Sequence, residues 1–138
     1  MKSSLFVVNF VALVMLIPVL GLAQAKGDAK AGKAKYDSLC GGCHGASGKG
    51  DGPAAAALKP KPQDHTNGKH MNGLTDKALF DIVKVGGVGV KKSPLMPAWG
   101  SQLKEKQIRE VISHVRSLAV PPYDKGPGKK APNVITTP

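Results

Sequence analysis

The chain is short of the residues that build an ordinary hydrophobic core. Its 138 residues include one Trp, two Tyr and three Phe, and two of those Phe, Phe6 and Phe10, lie near the start. The 113 residues after Ala25 hold only 20 Leu, Ile, Val and Phe, or 18%, with a net charge of +10. A chain near the limit of about 20% cannot offset its ordering entropy by burial alone. Two cysteines are too few for a disulfide-stapled scaffold. Acidic residues are scarce, nine against 20 basic ones. After residue 25 no apolar run approaches the ~20 residues of a membrane span. No alternating apolar and polar run marks a strand. Composition therefore asks for an apolar group from outside the twenty amino acids.

What is present starts with an export segment. Met1-Lys2 is a short positive start, Leu5 to Leu20 is largely apolar, and Ala23-Gln24-Ala25 has the small-x-small form of a cleavage site. Residues 1–25 read as a signal peptide cleaved after Ala25, which implies a periplasmic protein. Residues 26–120 form one domain. Residues 121–138, with Lys125, Lys129 and Lys130 among Gly and Pro, read as a flexible basic tail.

Three helices are legible. The first spans roughly Asp28 to Leu39, with Asp28 as N-cap and Ala29, Gly32, Tyr36 and Leu39 at three- and four-residue steps. The second spans roughly Asp76 to Val85, capped by Thr75 and ended by Gly86-Gly87, with Leu74 and Leu79 placed as a hydrophobic staple. The third spans roughly Gln102 to Ala119, capped by Ser101 and stopped by Pro121-Pro122, with Ile108, Val111, Ile112, Val115 and Leu118 on one face. The loops between, Gly45 to Asp64 and Lys91 to Gly100, are irregular and need a surface to pack on.

Cys40-Gly41-Gly42-Cys43-His44 is the strongest motif, and C-x-x-C-H is the attachment sequence of a c-type haem. Two thiols three positions apart reach the two vinyl groups of one porphyrin, and the adjacent His44 turns its imidazole under the iron as proximal ligand. A thioredoxin-like site needs a strand before the motif, and none is there. A zinc site needs a fourth ligand and cannot easily use adjacent Cys and His. A haem also answers the composition, because a large apolar disc supplies the missing core. For the distal position, Met96 lies between Pro94 and Pro97, which stiffen its loop. Met96 is the expected distal ligand, with His70 and His65 as lesser candidates and otherwise ordinary loop residues. Met71 reads as packing at the haem edge or filling a core gap.

With these motifs in place, the chain resembles the class I monohaem c-type cytochromes, small soluble bacterial electron carriers, over about residues 27 to 120. A helix running into CxxCH, the Gly-rich Gly45 to Pro53 stretch, a middle helix, the Met96-Pro97 loop before Trp99 and a last helix ending in Arg116-Ser117-Leu118 carry the resemblance. It implies an all-α cytochrome c fold, about three to five helices wrapped around one covalently bound haem c. It implies that the first and last helices cross at Gly32 and Tyr36, with His114 where the family often has an aromatic. It places a carbonyl near Pro53 as acceptor for the second nitrogen of His44, and Trp99 beside the haem or in the core.

The expected function is a diffusible one-electron carrier and not an enzyme. Alternatives are an electron-transfer subunit of a larger redox complex, or a haem peroxidase or gas-binding protein with a labile sixth ligand. The positive charge, including Lys49, Lys59, Lys61, Lys91 and Lys92 in the loops around the haem, implies redox partners with acidic docking surfaces or peripheral association with an anionic membrane. Nucleic acid is excluded as a partner by export and by the lack of an aromatic platform. A monomer is expected.

Overall fold

The computed structural model describes residues 27–123. The stretch read as a signal peptide, residues 1–25, and residues 124–138 of the stretch read as a tail lie outside the described residues. The described residues form five helices, α1 Ala29–Leu39, α2 Gly41–His44, α3 Gly68–Met71, α4 Asp76–Gly89 and α5 Glu105–Leu118, and no strand. No helix among them is long and apolar enough to cross a membrane. The expected all-α fold is therefore what forms.

The seam between α1 and α5 organises the molecule. Asp28 caps α1 by accepting from the Lys30 N–H at 2.8 Å. One turn apart on its buried side stand Gly32 and Tyr36. A Cβ at Gly32 would overlap the Glu110 carbonyl of α5, so only glycine lets the two backbones approach this closely. On α5, Ile108, Val111, Ile112 and Val115 recur at three and four residues and are all buried. They join Tyr36, Met71, Leu79 and Ala119 in one core. Glu110 is buried at the seam and paired with Lys35 Nζ at 3.2 Å.

Arg116 ties the middle of the chain to α5. Its guanidinium donates to the carbonyls of Met71 at 2.5 Å and Leu74 at 2.6 Å, and Nε donates to Asp76 Oδ1 at 3.0 Å. The ring of Tyr123 lies 3.7 Å from the guanidinium carbon. A buried charge is tolerated only when its donors are used in this way.

Two helix boundaries differ in detail from the sequence reading. α5 begins at Glu105 and not near Gln102, and Lys104, not Ser101, is its N-cap. The N–H groups of Gln102 and Leu103 both donate to the Trp99 carbonyl, at 3.0 and 2.8 Å, which makes a separate turn. The Lys104 N–H is taken by Gln107 Oε1 at 2.9 Å, and this reciprocal bond sets the start. In α4 the helical path breaks at Gly86, with φ 71° and ψ −179°, and one further turn follows before Val90. Thr75 caps α4 as expected, accepting from the Ala78 N–H at 3.0 Å. The short α2 and α3 and a 3-10 turn at Ala55–Ala57 fall where the sequence shows no apolar period.

Candidate functional site

A cavity of about 460 Å³ lies against the core. Its lining joins Cys40, Cys43 and His44 from the end of α1 and α2 with Met96 and Trp99 from the loop before α5. Val111, Ile112 and Val115 of α5 supply an apolar wall, and Met71 and Leu79 extend it. The cavity thus gathers, from positions spread over most of the described chain, the thiols, the imidazole and the thioether that the sequence singles out. Pro53 is the exception: it is exposed and does not line the cavity.

The motif is held by backbone bonds. The N–H groups of Cys43 and His44 both donate to the Cys40 carbonyl, at 3.1 and 2.8 Å, which coils the motif into one turn. The loop behind it folds back on the same turn: Gly50 donates to the His44 carbonyl at 2.8 Å and Ala54 to the Gly42 carbonyl at 3.0 Å. No disulfide joins Cys40 to Cys43. Burial, and then the neighbouring Cys43, pushes the Cys40 thiol up to about 11. A thiol so raised stays protonated at neutral pH.

His44 is oriented by a carbonyl. Its Nδ1 lies 3.0 Å from the Gln63 carbonyl oxygen, which can only accept, so Nδ1 carries the proton and donates. Nε2 is left with its lone pair, the form that binds a metal. Burial shifts His44 below the ordinary histidine range, with the Gln63 bond opposing, so the ring is neutral. The acceptor belongs to Gln63, next to Pro62, and not to the loop at Pro53. The expected carbonyl acceptor is therefore present, but beside Pro62 and not Pro53, because the chain offers several prolines after the motif and only the fold decides which one the ring meets.

His65, read from sequence as an ordinary loop residue, is part of the site. Its ring stacks on His44 with centroids 4.3 Å apart and planes 18° from parallel. Its Nδ1 meets the Tyr36 hydroxyl at 3.1 Å. Burial first, and the nearby His44 second, push His65 down to about 3. No motif or spacing announces this residue; contact with Tyr36 and His44 arises only when the loop closes over α2. His70 also lines the cavity and is exposed. His114 is buried in the seam, its ring 5.0 Å from that of Tyr36 in an edge-to-face arrangement, away from the cavity.

On the distal side, the Met96 loop is seated on the break in α4. The Gly87 N–H donates to the Met96 carbonyl at 3.0 Å, and the Lys92 N–H donates to the Gly87 carbonyl at 2.7 Å. Trp99 is anchored by its backbone N–H, which donates to the Val83 carbonyl at 3.0 Å. Its half-buried ring faces the cavity. These residues fit a haem: two thiols, one imidazole with a free nitrogen, one thioether and apolar walls share a single cavity.

A family model agrees with this site. The family model described as cytochrome c oxidase, cbb3-type, subunit III matches residues 27–115. A structure of the reducing HAO-like protein complex of Kuenenia stuttgartiensis is similar with a TM-score of 0.56 and 25% identity, covering 69% of this chain and 44% of that one. Cytochrome cL of the marine methylotroph Methylophaga aminisulfidivorans is similar with a TM-score of 0.49 and 24% identity, covering 64% of this chain and 53% of that one. The match thus spans about half the length of each of these structures. No curated protein sequence matches.

Proposed function

The chain belongs to the cytochrome c oxidase, cbb3-type, subunit III family, which makes it a haem-based electron-transfer protein with one covalently bound haem c, and from that premise we propose that it is an exported one-electron carrier with His44 and Met96 as the axial ligands. The observation that carries this reading is the single cavity that collects both CxxCH thiols, the free nitrogen of His44 and the sulfur-bearing Met96.

When bound, the haem supplies an iron that gains and loses one electron. The protein does the rest. Cys40 and Cys43 tether the group, and Gln63 holds His44 in the metal-binding tautomer. A neutral thioether from Met96 favours ferrous iron more than a second imidazole would, so the potential is high for a c-type haem. The apolar wall of α5 keeps water out, which works in the same direction. With two protein ligands held in place, oxidation and reduction need little rearrangement, and no acid, base or nucleophile is required. Partners are redox proteins. We place the signal peptide at residues 1–25, the cytochrome domain at 26–120 and a basic tail at 121–138.

The test is an optical redox titration of the mature protein beside Met96→Ala. The unsubstituted protein should show a low-spin spectrum with the weak far-red ferric band of sulfur ligation. The variant should keep its haem but lose that band, and its potential should fall. Identical spectra for the two would remove Met96 from the ligand set.

A second reading, a subunit of a larger redox complex, is favoured by the subunit named in the family description and by the similar structure being that of a complex. Gel filtration of a native extract separates the two readings by whether the haem elutes at the size of this chain alone.

A further inference from the structure

His44 has two restraints of different kinds. The hydrogen bond from Nδ1 to Gln63 fixes one direction in the ring plane. A single bond of this type leaves the ring able to swing about the N–H···O axis. A second ring laid against its face removes that freedom, and His65 provides it, at 4.3 Å and 18°. His65 is itself locked. Its backbone N–H donates to the Gly48 carbonyl at 2.7 Å, and its Nδ1 shares a hydrogen bond with the Tyr36 hydroxyl at 3.1 Å. Tyr36 is 0% exposed, and its ring packs edge-to-face against both His65, at 5.8 Å, and His114, at 5.0 Å. The chain of contacts therefore runs from the α1–α5 seam through Tyr36 and His65 to His44.

We propose that His65 is a positioning residue for the proximal ligand, fixing the plane of the His44 ring from behind and, through the π-face it lays on that ring, favouring the oxidised form of the centre. The inference rests on the reading of His44 as the iron ligand. The electron-rich face of a neutral aromatic ring attracts positive charge. An imidazole bound to ferric iron carries more of that charge than one bound to ferrous iron, so the stack stabilises the ferric state. Tyr36 contributes by holding the second ring in register.

The test uses the mature holoprotein and two substitutions at the same position. His65→Leu fills the space without a ring. His65→Phe restores a ring face but not the bond to Tyr36. At a fixed ambient potential, His65→Leu should raise the ferrous-to-ferric ratio by about threefold, the scale of one aromatic pair, and should shift and broaden the low-spin ferric resonance in electron paramagnetic spectra, which reports the ligand-ring plane. His65→Phe should recover most of the ratio. A structural role alone would not move either readout in a protein that keeps its haem and low-spin spectrum. A wild-type ratio and resonance in His65→Leu would overturn the proposal, as would His65→Phe behaving like His65→Leu. Should His65→Leu not yield coloured protein, Tyr36→Phe keeps the stack and frees the second ring. It should broaden the resonance with little change in ratio, and an unaltered resonance would overturn the proposal. If the unsubstituted protein lacks histidine ligation, the functional reading and this inference fall together; normal ligation with null variants removes the inference only.

Discussion

His114 shows how a single side chain can carry a condition for stability. It is buried against Tyr36 and its Nε2 has no hydrogen-bond partner. Burial first, and the positive charge of Lys33 second, shift it below the ordinary histidine range. A histidine held neutral in the fold but free to protonate when unfolded adds stability above its unfolded value near ~6.5, and that stability is lost as pH falls through the folded value. His114→Phe keeps an aromatic at Tyr36 and removes the titration. Urea unfolding at pH 7 and pH 5 should therefore show a smaller acid loss in the variant; equal losses would mean that His114 plays no part. Individual residues were unevenly legible from sequence. Cys40, Cys43, His44 and Met96 stood out because their chemistry needs fixed spacing or a stiff loop. Tyr36 was placed at the helix crossing through family resemblance. His65 was not legible, since its role depends on two partners 29 and 21 positions away that carry no joint pattern. Gln63 is illegible for the same reason, and the family resemblance points to Pro53 instead.

At the scale of elements, the three longer helices were legible because each has a cap or a stop and an apolar stripe. The four-residue α2 and α3 have no apolar stripe, although Asn67 caps α3 and Gly45 ends α2, and backbone bonds from the loops around them, such as Ala54 N–H to the Gly42 carbonyl and Gly68 N–H to the Val120 carbonyl, help close them. The break in α4 is the element with the most direct bearing on function. Gly86 sits at φ 71°, where a side chain is strained, and a Cβ there would lie 2.9 Å from the Met96 carbonyl and 2.7 Å from the Ala98 nitrogen. Gly86→Ala should push the Met96 loop off its seat. We expect the far-red ferric band to weaken or vanish while helical circular dichroism is retained, at a stability loss of about 1–3 kcal/mol. A full-strength band in that variant would show that the loop does not depend on the break.

The whole molecule explains its own composition. The cavity of about 460 Å³ is walled largely by apolar side chains, which a large apolar group covers more favourably than water does. The shortage of large apolar residues is thus matched by the cofactor, which is why composition alone pointed to one. Charge acts at the same scale. Lys61 and Lys92 are exposed and line the cavity, and Lys59 and Lys91 are exposed beside them in sequence. If this positive rim steers an acidic redox partner, the bimolecular electron-transfer rate should fall steeply as ionic strength rises past the point where the screening length drops below about 10 Å. A rate indifferent to salt would assign those lysines to solubility alone.

The seam in which Gly32 meets Glu110 joins positions 78 residues apart, so the first and last described helices close the unit on themselves. A cut between them would leave each half without the helix that covers its apolar face. A fold with that property is suited to being copied whole into longer genes as a self-contained cassette.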